Sequence, residues 1–309
     1  MPKISFVIPI YNEAHIIEEF YRRLKLVLVA DFSGFSYEII FIDDGSVDES
    51  PRILEKLHVL DKNLQVIQFS RNFGHHIALT AGSDVAKGDF VVMMDGDLQD
   101  QPEEIIKLYN KLTDGYDVVY AERMNKKFGY IQNWLSKAFN IAIKKLINEP
   151  IVINSTIFRI MTKQVADNVK LLRERNRYII GVVGWVGFKH AAAEVEHGER
   201  YGGKGKYNLS KRMSLALDAI FSFSNYPLKL ITRVGLFLMV LSFLAGIYII
   251  YKKFIYGVPV LGWSSLIVAV LVIGGMQTIM LGVIGEYVGR NYIEDKNRPL
   301  YIIKKYLHG

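Results

Sequence analysis

Residues 91–104 read VVMMDGDLQDQPEE. Four apolar residues run into Asp95 and Asp97, a third acid follows at Asp100, and Pro102 opens a segment of helical pattern. The Val- and Met-rich run predicts a buried strand, where an unpaired carboxylate is costly. Two acids one residue apart at its end either cap the turn that follows or hold a cation.

The residues on either side repeat the arrangement. KISFVIPIY (3–11), YEIIFIDDGS (37–46), LQVIQFS (64–70), DFVVMMDGD (89–97) and DVVYAER (117–123) are short apolar runs rich in β-branched residues. NEAHIIEEFYRRLKLVL (12–28), DESPRILEKLHVL (48–60), HHIALTAGSDVA (75–86) and PEEIIKLYNKLTDG (102–115) alternate with them and carry helical periodicity. Apolar strands alternating with helices predict a parallel sheet covered on both faces. Ligands of such sheets sit at the carboxyl ends of the strands. Asn12 with Glu13, Asp43 with Asp44, Asp95 with Asp97, and Glu122 with Arg123 all fall at such ends, so one rim carries one site.

Neither GxGxxG nor GxxxxGK[ST] occurs in the chain, so both standard glycine-rich phosphate cradles are absent. An acid-lined rim lacking them needs a divalent cation to neutralise a bound diphosphate. That favours Asp95 and Asp97 as hard oxygen ligands for Mg2+ or Mn2+. His15, His75 and His76 lack the spacing of a metal cluster and are expected at the surface or in packing.

The chain has 309 residues, a net charge of +7 and no cysteine, which excludes disulfides and thiolate metal sites. Its mean hydropathy of +0.17 is high for a soluble enzyme, and the excess is concentrated near the end. VGLFLMVLSFLAGIYIIY (234–251) and VLGWSSLIVAVLVIGGMQTIMLGVIG (260–285) carry no charge. A bilayer core of ~30 Å needs ~20 apolar helical residues, so each run is long enough to span. Lys229 and Arg233 precede the pair, Arg290, Lys296, Arg298, Lys304 and Lys305 follow it, and Lys252 and Lys253 lie between. This bias predicts a plasma-membrane protein, multi-pass, with its large domain and tail cytoplasmic. MPKISFVIPIYNE reads as a strand and not as a leader. The basic charge suits an anionic leaflet, and the membrane hairpin argues against nucleic acid.

IQNWLSKAFNIAIKKLI (131–147) and NLSKRMSLALDAIFSFSNYPLKL (208–230) combine apolar periodicity with basic residues, as interfacial helices do. The expected division is 1–207 as a catalytic domain, 208–230 as a juxtamembrane amphipathic helix, 231–288 as two transmembrane helices and 289–309 as a cytoplasmic tail.

VIPIYNE (7–13), FIDDGSVDES (41–50), SRNFGHHIALTAG (70–82) and MDGDLQDQPEE (94–104) together resemble family 2 glycosyltransferases. ERYGGKGKY (199–207), FSFSNYPLKL (221–230) and GEYVGRNYIEDKNRPLYIIKK (285–305) are similar to the polyisoprenyl-phosphate glycosyltransferases of the bactoprenol glucosyltransferase type. The resemblance implies an α/β fold of the GT-A kind, Rossmann-like with a mostly parallel sheet, followed by interfacial helices and a two-helix transmembrane hairpin. It implies metal-dependent, inverting transfer of a sugar, glucose by default, from a nucleotide-sugar to a polyprenyl phosphate, for modification of cell-envelope glycans. Uracil is the expected base, and a homo-oligomer is the expected assembly.

The resemblance also assigns residues. Pro9, Tyr11 and Glu13 fall where the first loop holds the nucleotide, and Asp44 where the base is bound. Asp95 and Asp97 match the metal-binding DxD, Asp97 being a candidate catalytic residue, and Gln99 lies beside them. Arg123 belongs with the donor, and Arg200 and Lys206 with the acceptor phosphate. Arg159, also a catalytic candidate, matches an Arg expected to contact a phosphate.

One departure stands out. Relatives read GDFRL where this chain has NSTIFRIM (154–161), so Thr156 and Ile157 replace Gly and the usual catalytic Asp. A phosphate-monoester acceptor, with a second pKa near ~6, is already ionised and needs little help from a base. Asn154 and Ser155 are polar neighbours without a family role. The alternative is a membrane-anchored scaffold that binds nucleotide-sugar without turnover. A processive synthase is disfavoured, since QxxRW and further spans are missing.

Overall fold

The computed structural model describes residues 1–123, 156–175, 177–196, 198, 226–256 and 262–308. In chain order these form β1 (Lys3–Ile10), α1 (Ile17–Asp31), β2 (Ser36–Asp43), α2 (Ser50–Leu60), β3 (Leu64–Phe69), α3 (His75–Val85) and β4 (Phe90–Met93). After a short 3-10 turn come α4 (Ile105–Thr113), β5 (Val118–Arg123), β6 (Arg159–Thr162), α5 (Lys163–Leu171), α6 (Ile179–Trp185) and β7 (His190–Val195). The chain ends with α7 (Tyr226–Tyr256), α8 (Trp263–Asp295) and β8 (Ile303–Leu307).

The sheet order is β7-β5-β6-β4-β1-β2-β3-β8. Pairs β1–β2, β1–β4, β2–β3 and β5–β7 are parallel, whereas β6 runs antiparallel to both β4 and β5. The expected mostly parallel, helix-covered sheet is therefore present, with β6 and the edge strand β8 as its reversed members. Because β6 reverses direction twice over, β5 points the same way as β4. The carboxyl ends of β1, β2, β4 and β5 therefore share one rim.

Covering both faces explains the strand composition. β1 is buried from Ile4 to Ile10, and a side chain on either face meets a helix. Phe6, Ile8 and Ile10 belong to one cluster with Ile17, Phe20 and Leu24 of α1. The buried positions of α1 recur at three and four residues, which turns a single stripe to the sheet. Each such apolar side chain contributes about 1.5–3 kcal/mol on burial. Pro51 in the first turn of α2 sits where a missing N–H leaves no helical bond unmade.

The eighth strand comes from beyond the two apolar helices, from the segment expected to be a tail. β8 pairs antiparallel with β3, Tyr306 facing Ile67. Tyr301 stacks on Phe69 with ring centroids 5.2 Å apart and donates to Asp84 at 2.8 Å. Tyr306 donates to Gln65 Oε1 at 2.6 Å, and Lys305 pairs with Glu55 at 2.7 Å.

α7 and α8 belong to a second compact unit. At 31 and 33 residues they are longer than the ~20 residues that a bilayer core requires. The apolar stretches Tyr226–Tyr248 and Val272–Asp295 meet the length and composition needed to cross a membrane, with no part of either buried. Leu236, Phe237, Phe243 and Ile279 are among the apolar side chains left exposed.

Candidate active site

Three loops at the rim are tied together before any ligand is considered. The turn after β2 is closed by Asp43, whose carboxylate accepts from Ser46 N at 2.9 Å. The loop after β1 is laced to it. Asn12 N donates to Ser46 Oγ at 2.9 Å, and Val47 N donates to Asn12 Oδ1 at 2.9 Å. Glu13 N donates to Ser50 Oγ at 3.0 Å, and Ala14 N to Asp48 Oδ2 at 3.1 Å. Asn12 adopts the left-handed conformation at φ 55°, which Asn tolerates better than most residues.

Asp44 binds the third loop. Its Oδ1 accepts from Phe73 N at 2.7 Å and its Oδ2 from Gly74 N at 3.0 Å. Only 3% of Asp44 is exposed, and burial raises its pKa despite these two amides. Gly45 has φ +72°, and a Cβ there would stand 2.7 Å from Asn72 N, so the loops approach only because position 45 is Gly.

The anchored loop delivers His75 to the acids after β4. His75 Nε2 lies 3.0 Å from Asp95 Oδ1. Burial disfavours the imidazolium, but the Asp95 carboxylate, with Glu13 and Asp44 farther off, outweighs it and raises the His75 pKa. His76 goes the other way. Burial and the neighbouring His75 charge push it down to about 4. The expectation that these histidines are surface or packing residues is thus corrected for His75. Its partner is distant in sequence, and helical periodicity carries no sign of a contact of that kind.

The turn holding both acids is tight. A Cβ on Gly96 would meet Ile10 Cδ1 at 2.5 Å and Glu13 Oε2 at 3.2 Å, so a larger residue between Asp95 and Asp97 would have to displace the ends of those side chains. Asp97 Oδ1 accepts from Gln99 N at 3.0 Å, and Leu98 takes φ 58° between them. Gly198 N donates to the Gln99 carbonyl at 3.0 Å, which brings the chain after β7 beside the same turn.

The β4–β6–β5 ladder extends the rim. Met93 pairs with Arg159, and Arg159 with Tyr120. Asp95 and Ile157 therefore follow two residues beyond one matched pair. Ala121 N donates to Phe158 O at 2.9 Å, and Thr156 Oγ1 donates to Ala121 O at 3.0 Å. Arg159 is only 2% exposed and points inward. Its Nε donates to Ile157 O at 3.2 Å and its Nη2 to Thr156 O. Burial lowers its pKa to about 10. Arg159 thus braces the loop that carries Thr156 and Ile157.

Of the other sequence-derived residues, Pro9 is buried within β1, beyond the last β1–β4 pair at Val7 and Met93. Tyr11 is 47% exposed at the rim, and Glu13 and Gln99 are half-buried there. Arg123 ends β5. Arg200, Lys206, Asn154, Ser155, the segment 131–147 and most of 208–230 lie outside the described residues.

The residues present fit a divalent cation. Asp95 Oδ1 is shielded from solvent without an aligned hydrogen bond, and both acids offer hard oxygen donors. Among the described residues no three His, Cys, Asp or Glu side chains converge on a metal-holding point. Two carboxylates are what Mg2+ uses when diphosphate oxygens and water complete its shell.

Comparison with known proteins agrees with this geometry. The profile described as glycosyl transferase family 2 matches residues 5–170, and that of the GtrB C-terminal hairpin matches residues 226–290. The chain is 42% identical to the uncharacterized glycosyltransferase YkcC of Bacillus subtilis, over 97% of this chain and 93% of that one. It is 41% identical to the SfII prophage-derived bactoprenol glucosyl transferase of Shigella flexneri, over 98% of each chain. It is 40% identical to a prophage bactoprenol glucosyl transferase homolog of Escherichia coli, over 98% of this chain and 99% of that one.

Proposed function

The chain belongs to glycosyl transferase family 2, and from that premise we propose that it transfers a sugar, glucose by default, from a UDP-linked donor to a polyprenyl phosphate at the cytoplasmic face of a membrane. The transfer inverts the anomeric carbon and uses Mg2+ or Mn2+. The reading is carried by the near full-length likeness to bactoprenol glucosyl transferases, joined to the Asp95–Asp97 pair on the common rim.

In this reading the clasped loops form the nucleoside end of the site. Pro9, Tyr11 and Glu13 line it, and Asp44 sets its floor by fixing the backbone of Phe73 and Gly74. Asp95 and Asp97 hold the cation, Gln99 keeps the turn that presents Asp97, and Arg123 attracts the donor phosphates. Bound there, the metal stabilises the negative charge of the leaving nucleoside diphosphate. Arg200 and Lys206 are assigned to the acceptor phosphate by the family resemblance. Arg159 acts through the loop it braces. Its buried guanidinium fixes Thr156 and Ile157, which lie at the level of Asp95 in the ladder. No side chain at 157 removes a proton, because the ionised acceptor phosphate brings its own nucleophilic oxygen. Positioning and electrostatics supply most of the rate.

The apolar hairpin, entered through the amphipathic segment 208–230, keeps the domain beside a lipid substrate. Residues 1–207 and β8 supply the catalytic body. A second reading, a membrane scaffold that binds donor without turnover, is favoured by Ile157 alone.

The deciding experiment is transfer of radiolabelled sugar into the lipid phase. Purified full-length protein is incubated with undecaprenyl phosphate, Mg2+ or Mn2+, and a panel of UDP-, dTDP- and GDP-sugars. Labelled lipid that disappears with Asp97→Ala is the expected result. Nucleotide binding with no product from any donor would establish the scaffold instead.

A further inference from the structure

His75 opens α3, and its backbone is fixed by the residues around it. Asp44 fixes the preceding amide of Gly74 at 3.0 Å. The helix behind is buried from Ala78 to Ser83. The next residue, His76, packs edge-on against Tyr178 with centroids 5.3 Å apart. From this position Nε2 reaches within 3.0 Å of Asp95 Oδ1. Both atoms are closed to solvent, and neither has an aligned hydrogen bond among the described residues. Shielded polar atoms are normally satisfied, so such a pair calls for an explanation.

A carboxylate that binds a cation through one oxygen is oriented by a hydrogen bond to the other, and such outer partners govern ligand geometry. We propose that His75 is a positioning residue for Asp95. Its Nε2, 3.0 Å from Oδ1, would donate there once the ring turns into line, orienting the carboxylate so that Oδ2 is free for the cation that arrives with the diphosphate. The inference rests on the donor-site reading above and adds a residue that the DxD pattern does not contain. It also gives the Asp44 clasp a second purpose, since the loop that Asp44 holds is the one that carries His75.

The test is Mn2+ binding to the detergent-purified full-length protein in the presence of UDP, read by the EPR signal of free Mn2+. Wild type, His75→Ala, His75→Gln and His75→Asn are compared, with melting curves recorded for each. The expected result is a ~10–100-fold weaker Mn2+ affinity for His75→Ala, the range seen when outer-shell partners are removed. KM for the donor should rise more than kcat falls. His75→Gln, whose amide N–H reaches about as far as Nε2, should recover most of the affinity, whereas the shorter His75→Asn should not. If His75→Ala fails to fold, the Gln and Asn variants decide the question.

Mn2+ binding as tight as wild type in His75→Ala, or in His75→Asn, overturns the positioning role while leaving the donor site intact. Wild-type protein that takes up no Mn2+ with UDP overturns the donor-site reading itself, and this inference with it.

Discussion

Asp44 and Gly74 are joined across thirty residues of sequence by a 3.0 Å bond from the Gly74 amide to the Asp44 carboxylate. The turn after β2 and the loop before α3 therefore move as one piece. Because Asn12 and Ser46 exchange bonds with the same turn, the loop after β1 is fastened to it as well. The rim proposed for the nucleoside is preorganised by side-chain oxygens that accept from main-chain amides of the neighbouring loops.

Replacing Asp44 should therefore disturb two things together. Asp44→Ala leaves the amides of Phe73 and Gly74 without their shared acceptor. Hydrogen bonds to a charged group contribute about 1.5–3 kcal/mol, so a loss of about 2–4 kcal/mol in unfolding free energy is expected. UDP affinity, measured by calorimetry, should fall at least tenfold in the same variant. Full UDP affinity in a destabilised Asp44→Ala would separate the clasp from the binding site.

The acids after β4 should divide the labour unequally from the rest of the rim. Asp95→Ala and Asp97→Ala are each expected to lower sugar transfer by about a hundredfold or more, since the charge on the leaving diphosphate then goes uncompensated. Asp97→Ala should melt near wild type, because its side chain is partly open to solvent, whereas Asp95→Ala also removes the acid beside His75 and should melt lower. EDTA should abolish activity, and Mn2+ or Mg2+ should restore it.

Ile157 makes a prediction about pH. With no base at that position, kcat/KM for the acceptor should rise through the ionisation of its phosphate near ~6 and then level off. Ile157→Asp should change the plateau by less than about threefold. Glu122, one residue beyond the Ala121 that bonds Phe158, is the nearest acid on the neighbouring strand. A general base is worth about 10²–10⁴ in rate, so a hundredfold loss in Glu122→Gln would identify one and overturn the base-free reading.

Acid stability should report a different part of the sheet. Glu38 is buried in β2. Burial would raise its pKa, but bonds from Lys3, Ser5 and the Lys87 amide outweigh it and hold the value below 4.5. A carboxyl depressed in the folded state stabilises it above the unfolded value, and that contribution is lost as pH falls through the folded one. Burial would raise Asp61 as well, but bonds from the Asn63 amide, Lys25 and Tyr21 outweigh it and depress it. The melting temperature should therefore drop steeply below pH ~4.5. Glu38→Gln should melt lower at pH 7 and lose less on acidification.

The elements read directly from sequence are those whose residues obey a local rule. β1 to β5 show apolar runs, and α1 to α4 show a three-to-four spacing, so both existence and type were evident. β6 has four residues and reads as the tail of a loop. β7 is HAAAEV, whose alanines carry little strand character. β8 is IKKYL, a charged edge strand, and basic residues are what an exposed edge favours. The DxD acids were recognisable because their meaning lies in adjacent letters. His75 is not, since its significance depends on Asp95 in the turn after β4, twenty residues on. Arg159 is legible as a site candidate, but nothing local says that its guanidinium turns toward the carbonyls of Thr156 and Ile157.

The return of the chain as β8 limits what evolution can do with the two apolar helices. Residues 3–195 and 303–307 contribute to one sheet, so whatever lies between them must begin and finish on the same side of any barrier it crosses. Only an even number of crossings satisfies this. A variant gaining or losing a single span would strand β8 in the opposite compartment, bare the edge of β3 and strip Phe69 of its Tyr301 partner. Any membrane crossing by these two helices would thus be constrained in parity from within the sheet, whatever the distribution of lysine and arginine.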